Sequence, residues 1–304
     1  MFATLKIGST GENVKHLQSF LKLNVDGDFG SNTEKAVKEW QKKKGLLDDG
    51  IVGPKTWEAM GLKDMILTTD QSEKFYKTTD GLIINKFRLS ANEYMPGPTK
   101  KEYIYLHHTA GWNDPYKTVT NWEKDDRGRV ATQFVIGGPN VKNGDLTFDG
   151  VVVECFDEKA YAGHLGAVNS YYMHTHSVGI EICNFGFLKP SGAGYVTYTG
   201  QFVHEDQVTD LGYEFRGYRY WHKYSDEQLH SLKKLIRYVA KMHGIDMKKG
   251  LLERLEEMEE DEAFEYDVNI SNGNVKGILS HSNVRKDKMD VYPCPRLIAM
   301  LRNL

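Results

Sequence analysis

The 304-residue sequence predicts a mixed α/β protein, with a three-helix N-terminal domain ahead of a larger domain whose central mixed β-sheet is flanked by helices. Three observations predict it. Helical spacing fills the first 61 residues, an internal echo punctuates them, and β-rich runs alternate with helical ones from about residue 85 onward.

The echo is Asp26-Gly-Asp-Phe-Gly30-Ser-Asn-Thr33 against Asp49-Gly-Ile-Val-Gly53-Pro-Lys-Thr56, a shared D-G-x-x-G-x-x-T pattern. Glycines at those places allow the tight turns that end one helix and aim the chain into the next. Val14, Leu17 and Leu21 precede the first copy at helical spacing, and Ala36, Val37 and Trp40 follow it. Residues 1–61 therefore read as one small domain, near the lower size limit for independent folding. Residues 62–84 are polar and without periodicity, and read as a linker; residues 85–304 form the second domain.

Within it, Tyr103-Ile-Tyr-Leu-His107, Gly150-Val-Val-Val-Glu-Cys-Phe156 and Ser177-Val-Gly-Ile-Glu-Ile-Cys183 read as strands. Asp114-Pro115 is an N-cap and first-turn pair. Ser225-Asp-Glu-Gln228 is a capping box opening a helix through Leu229, Leu232, Ile236 and Val239, which Gly244 stops. Residues 190–220 and the acidic stretch 248–274 read as surface insertions.

Composition excludes several classes. A net charge of -3 does not suit a general nucleic-acid binder. No stretch approaches the roughly 20 apolar residues of a membrane span, so direct membrane insertion is not expected. Three scattered cysteines do not make a disulfide framework, and no secretory signal is visible at Met1. A monomer made in the cytoplasm is the expectation.

The candidate chemistry lies in three places. His107 ends a strand on which Ile104, Leu106 and His108 share one face, leaving His107 with Tyr103 and Tyr105 on the other. His108 reads as a structural histidine. His281 ends the apolar run Gly277-Ile-Leu-Ser280, and Cys294 is held between prolines in Tyr292-Pro-Cys-Pro295. Two imidazoles and a thiolate would give Zn2+ three ligands and leave a position for water. Glu181 points away from Val178, Ile180 and Ile182 and is the candidate general base. His174 and His176 offer a competing pair, better read as loop-capping residues.

With these motifs in view, the chain resembles two known families. Leu5-Lys-Ile-Gly-Ser-Thr-Gly-Glu-Asn-Val14, with Val25-Asp-Gly-Asp-Phe-Gly30 and Val37-Lys-Glu-Trp40, is similar to the peptidoglycan-binding domain of wall hydrolases. Tyr103 to Gly111, Tyr161-Ala-Gly-His164, Ser177 to Glu181 and Gly277 to His281 resemble the successive motifs of the type-2 N-acetylmuramoyl-L-alanine amidases. That resemblance implies His107, His281 and Cys294 as zinc ligands, Glu181 as the catalytic carboxylate and His164 on the substrate side. It implies hydrolysis of the bond between the lactyl group of N-acetylmuramic acid and L-alanine in bacterial peptidoglycan, in the manner of a phage endolysin. A bacterial autolysin or a non-catalytic recognition protein is the alternative. The family often carries Lys or Thr two residues before the last ligand; with Cys294 as that ligand the place falls on Tyr292. Tyr292, or a cation among Arg285, Lys286 and Lys288, is therefore the candidate oxyanion helper, and Thr132 stands where one branch has a tyrosine.

Overall fold

The computed structural model describes residues 4–60, 74–98, 100–166, 170–192 and 194–304. The chain divides into two compact units, Met1–Ser72 and Glu73–Leu304.

The first unit holds α1 (Glu12–Phe20), α2 (Ser31–Lys43) and α3 (Pro54–Ala59). Val14, Leu17, Phe29, Val37, Val52 and Trp57 form its core. The sequence echo has a physical cause. Gln18 is buried, and its amide nitrogen donates to Asp26 Oδ1 at 2.7 Å, the Asp28 carbonyl at 3.0 Å and Thr33 Oγ1 at 3.2 Å. Its carbonyl oxygen accepts from the Gly27 amide at 2.9 Å. Gln41 repeats the wiring on Asp49, Ile51, Thr56 and Gly50. Gly27 (φ 81°) and Gly50 (φ 77°) sit in the left-handed region, which explains the glycine after each aspartate. A buried amide left without partners costs about 1–3 kcal/mol. Gln41→Leu is therefore expected to destabilise this unit by about that much, read as a lower denaturation midpoint; an unchanged midpoint would refute the clamp.

The second unit opens with β1 (Phe75–Lys77), β2 (Ile83–Lys86), β3 (Met95–Pro96) and β4 (Tyr103–His108). Next come α4 (Pro115–Lys124), β5 (Phe134–Ile136), β6 (Val152–Glu154), β7 (Ala160–Tyr161), α5 (Tyr172–Thr175) and β8 (Ser177–Ile182). Then follow β9 (Phe187–Ser191), β10 (Gly194–Thr197), β11 (Phe202–Val203), β12 (Val208–Phe215), β13 (Tyr218–His222) and α6 (Asp226–His243). The chain closes with α7 (Leu251–Glu257), α8 (Glu260–Phe264), α9 (Val268–Ser271), β14 (Gly277–Ser280), α10 (His281–Val284) and α11 (Pro295–Leu301).

A seven-stranded mixed sheet, ordered β1-β2-β6-β5-β8-β4-β14, is the centre of this unit. Strands β5, β8, β4 and β14 run parallel, whereas β6 runs antiparallel to β5. Alternation along β4 works as its sequence predicts. Ile104 and Leu106 join Val178 and Ile180 against Leu232, Ile236 and Val239 of α6. Tyr103 and Tyr105 pack on the other face with Leu165, Met173 and Leu279. Helix α6 carries the expected Ser225–Gln228 capping box and stops at Gly244 in the left-handed conformation, φ 70°.

Three expectations change. Of the linker expected over 62–84, residues 61–73 lie outside the described residues, but 74–84 already belong to the second unit, because β1 and β2 form a hairpin on the large sheet. Its strands are short and only Ile84 is fully buried, so no alternation advertises it. The 190–220 stretch is part of a five-stranded antiparallel sheet, β11-β10-β9-β13-β12, with Phe215 and Trp221 in the main core. The acidic stretch folds into α7, α8 and α9, which bury Leu251, Leu255, Phe264 and Ile270 while the carboxylates stay outside.

Candidate metal centre and active site

The chemistry gathers at the carboxyl ends of β4, β8 and β14, where an open sheet leaves loops free to converge. His107 lies near the end of β4. His281 follows β14 directly, as the first residue of α10. Its direction is set by a capping box in which Ser280 Oγ accepts from the Asn283 amide at 3.3 Å. Asn283 and Ser282 donate in turn to the carbonyls of Ala263 and Phe264, at 2.9 and 2.8 Å, which ties the turn to α8. This accounts for the string Ser280-His-Ser-Asn283.

His107 Nδ1 and His281 Nδ1 are 3.1 Å apart, and both face Asp290 Oδ2, at 3.2 and 3.0 Å. These three are the group of metal-ligating side chains found among the described residues. Ligand atoms of a tetrahedral cation with bonds of about 2.0–2.1 Å lie about 3.3 Å apart, so the triangle is the size one ion fills. The remaining imidazole nitrogens are engaged elsewhere. His281 Nε2 donates to the Leu165 carbonyl at 3.2 Å, which leaves Nδ1 as its lone-pair side. His107 Nε2 meets His164 Nδ1 at 2.9 Å, and His164 Nε2 meets Ser177 Oγ at 2.7 Å.

Burial, reinforced by neighbouring His281, lowers the pKa of His107 to about 4, so its ring is neutral and ready to ligate. Burial opposes ionisation of Asp290, but the two histidines outweigh it and hold that carboxyl well below its usual range. Glu181 stands opposite His107 in the parallel β4–β8 register and so projects from the same face. Burial first, and then the Asp290 charge, push its carboxyl up to about 8, against the pull of Lys288 and Arg127. Gly179 completes this face. A Cβ there would meet the His164 ring at 3.1 Å and Thr132 Cγ2 at 2.9 Å, so only glycine leaves His164 its place.

A cavity of about 580 Å³ contains this cluster. Thr132, His164, Arg285 and Lys288 line it together with the three clustered side chains and Glu181.

Cys294, expected as a metal ligand, is not brought to the cluster. It is fully buried at the N-cap of α11, packed with Tyr292 and Leu297 in the main core, where burial raises its thiol pKa. The flanking prolines do fix the chain, but Pro295 starts a helix and thereby turns the sulfur inward. Asp290, not Cys294, stands beside the two histidines. Tyr292 is likewise withdrawn, its ring stacked between Trp221 and Tyr224 and its hydroxyl donating to the His222 carbonyl at 3.0 Å. Lys288-Met-Asp290 is the string that sequence reasoning passed over: Lys288 stands two places before Asp290, and both line the same cavity. Neither His174 nor His176 joins the cluster. His174 Nε2 meets the Gly166 carbonyl at 3.0 Å, and His176 stacks on Tyr172 at 3.6 Å.

His108 bonds Tyr224 through Nδ1 at 3.2 Å, as befits a structural histidine. Burial depresses its pKa to about 4 and that of His222 to about 3. Below pH 6.5 the unfolded chain takes up protons on both that the fold refuses. Stability of the metal-free protein is therefore expected to fall from pH 6.5 towards pH 4, by on the order of 1 kcal/mol per pH unit for each histidine. Thermal melts in chelator would check this, and a midpoint constant over that range would contradict it.

Comparison with known proteins gives two family matches. The family described as N-acetylmuramoyl-L-alanine amidase matches residues 97–293, and a peptidoglycan binding domain family matches residues 10–60. An N-acetylmuramoyl-L-alanine amidase of Bacillus licheniformis is 42% identical over 64 residues, 18% of each chain. The zinc D-Ala-D-Ala carboxypeptidase of Streptomyces albus G is 42% identical over 62 residues, 18% of this chain and 24% of the relative. The chain thus spans about a fifth of the length of these curated relatives. Among solved structures, a mutant endolysin from Bacillus subtilis covers 71% of this chain and 91% of its own, at 14% identity and a TM-score of 0.37.

Proposed function

Because the chain belongs to the N-acetylmuramoyl-L-alanine amidase family, we propose that it hydrolyses the amide joining the lactyl group of N-acetylmuramic acid to L-alanine, with Zn2+ held by His107, His281 and Asp290. The observation that carries this reading is the triangle of two Nδ1 atoms and one carboxylate oxygen with Glu181 beside it. Zinc suits two imidazoles and a carboxylate, and such a three-ligand site leaves a position open.

When bound, the ion lowers the pKa of a water and polarises the scissile carbonyl. The protein supplies the rest. Glu181 takes the proton of the attacking water and returns it to the departing L-alanine amine. His164 holds the His107 ring through Nε2 and is itself fixed by Ser177, so its part is orientation of a ligand. Lys288, at the cavity wall, offers positive charge to the amide oxygen as that atom becomes negative. The first unit anchors the enzyme to peptidoglycan, in keeping with its match to a peptidoglycan binding domain family. Among the described residues no helix is long and apolar enough to cross a membrane. The layout of wall-binding unit and amidase unit fits a phage endolysin, monomeric and released to the wall after the membrane is breached.

Zinc analysis of the purified protein, with mass spectrometry of digested peptidoglycan, tests the reading. New N-terminal alanine on freed stem peptides, lost in chelator and restored by zinc, is the expected result. Wall binding without that product would instead indicate a recognition protein.

A further inference from the structure

The five-stranded sheet reaches the active site at one point. Phe187 of β9 lines the cavity next to Phe185 and Gly186, and its ring lies 6.4 Å from that of Tyr198, just past β10. Tyr198 donates its hydroxyl to the Ala110 carbonyl at 2.9 Å, which ties the β10–β11 hairpin to the loop after His107 and His108. Two residues further on in that loop, Trp112 packs edge-on against Phe185 at 5.2 Å. Tyr198 is 54% exposed and Trp112 37% exposed. Two large, partly exposed aromatic side chains thus stand next to residues that line the cavity, Tyr198 held by Ala110 and Trp112 by Phe185, with the Lys142 ammonium 5.3 Å from the Trp112 ring centroid. Aromatic area kept in contact with water at a cavity mouth is costly to solubility and commonly marks a binding surface.

The substrate chemistry says what would cover it. The scissile amide has a peptide on one side and, one lactyl group away on the other, a sugar ring of the glycan strand. Peptide stems carry carboxylates, for which the cavity offers the Arg285 guanidinium, shared with Asp287, from the loop that brings in Asp290. Pyranose rings have apolar C–H faces and a hydroxyl rim, and they match flat aromatic surfaces with polar edges. We propose that Trp112 and Tyr198 form a glycan subsite, on which an N-acetylated sugar of the wall strand stacks while its stem amide lies at the metal centre. The five-stranded sheet then acts in recognition, by carrying Tyr198 to the mouth of the site. This subsite rests on the amidase reading above and adds the part of the substrate that the sheet selects.

The experiment uses the full chain and two substrates, a disaccharide-pentapeptide (N-acetylglucosaminyl-N-acetylmuramoyl) and the sugar-free lactoyl-pentapeptide. Trp112→Ala combined with Tyr198→Ala is expected to lower kcat/KM on the disaccharide substrate by about tenfold, the size of loss expected for two aromatic contacts, and to leave the lactoyl substrate unchanged. Trp112→Leu alone keeps apolar packing on Phe185 and should move the ratio the same way by a smaller factor, and Tyr198→Phe, which keeps the ring but gives up the bond to Ala110, should lose less on the disaccharide substrate than Tyr198→Ala. Equal losses on both substrates with Trp112→Leu, or no loss on either, would overturn the proposal. Binding of chitotetraose, followed by calorimetry, separates the subsite from the chemistry. If the wild type hydrolyses neither substrate, the amidase reading fails; weaker chitotetraose binding by the double variant would still support the subsite, and unchanged binding would overturn it.

Discussion

Asp290→Ala is expected to lose bound zinc and hydrolysis together, whereas Cys294→Ala should retain both. Asp290 Oδ2 is the atom both His107 Nδ1 and His281 Nδ1 face, so its removal leaves two ligands where three are needed. Outer-shell partners of metal sites are worth about 10–100-fold in affinity or activity, and loss of a ligand should exceed the upper end of that range. Cys294 is enclosed by apolar side chains, so shortening it removes a small buried group and costs on the order of 1 kcal/mol of stability. Metal analysis and lysis assays on the two variants read the difference. Zinc lost from the Cys294 variant and kept by the Asp290 variant would reverse the assignment.

Glu181→Gln is expected to keep zinc and slow turnover by about 10²–10⁴-fold, the span associated with a positioned general base. The amide is nearly the same shape, so its place on β8 opposite His107 should survive. Without an ion, burial and the Asp290 charge favour the protonated form of Glu181 up to about pH 8. A cation at the neighbouring triangle pulls the other way and favours the carboxylate that the reaction requires. Substitution should therefore abolish the acidic limb of the pH–rate profile as well as lower its height. A variant with undiminished turnover would remove Glu181 from the mechanism.

The success and failure of the sequence reading have particular causes. Period-two alternation placed Ile104 and Leu106 in one core and His107 on the opposite face, because a strand has only two faces. Capping at Asp114 and Ser225 is local hydrogen bonding, so the residue types alone expose it. The repeated Asp, Gly and Thr of the first unit are also near in sequence to the glutamine that binds them, each copy closing within 15 residues, although the glutamines themselves showed only in the structure. The short β1–β2 hairpin escaped notice since its strands bury little, and the partner that makes β2 a strand, β6, is remote in sequence.

The sequence by itself determined the two-unit organisation, the faces of the central strands, with His107 and Glu181 each turned away from the apolar side, and the capping box that opens α6. Tertiary structure alone decided which side chain joins the two histidines. Asp290 and Cys294 are four residues apart in one loop, and either could ligate by type. Which one stands beside the histidines depends on where the loop enters α11 and on the aromatic stack of Trp221, Tyr292 and Tyr224, which encloses the end of that loop. Trp221 and Tyr224 come from strand β13 and the segment after it, far away along the chain, and packing between distant segments leaves no periodic mark on either of them.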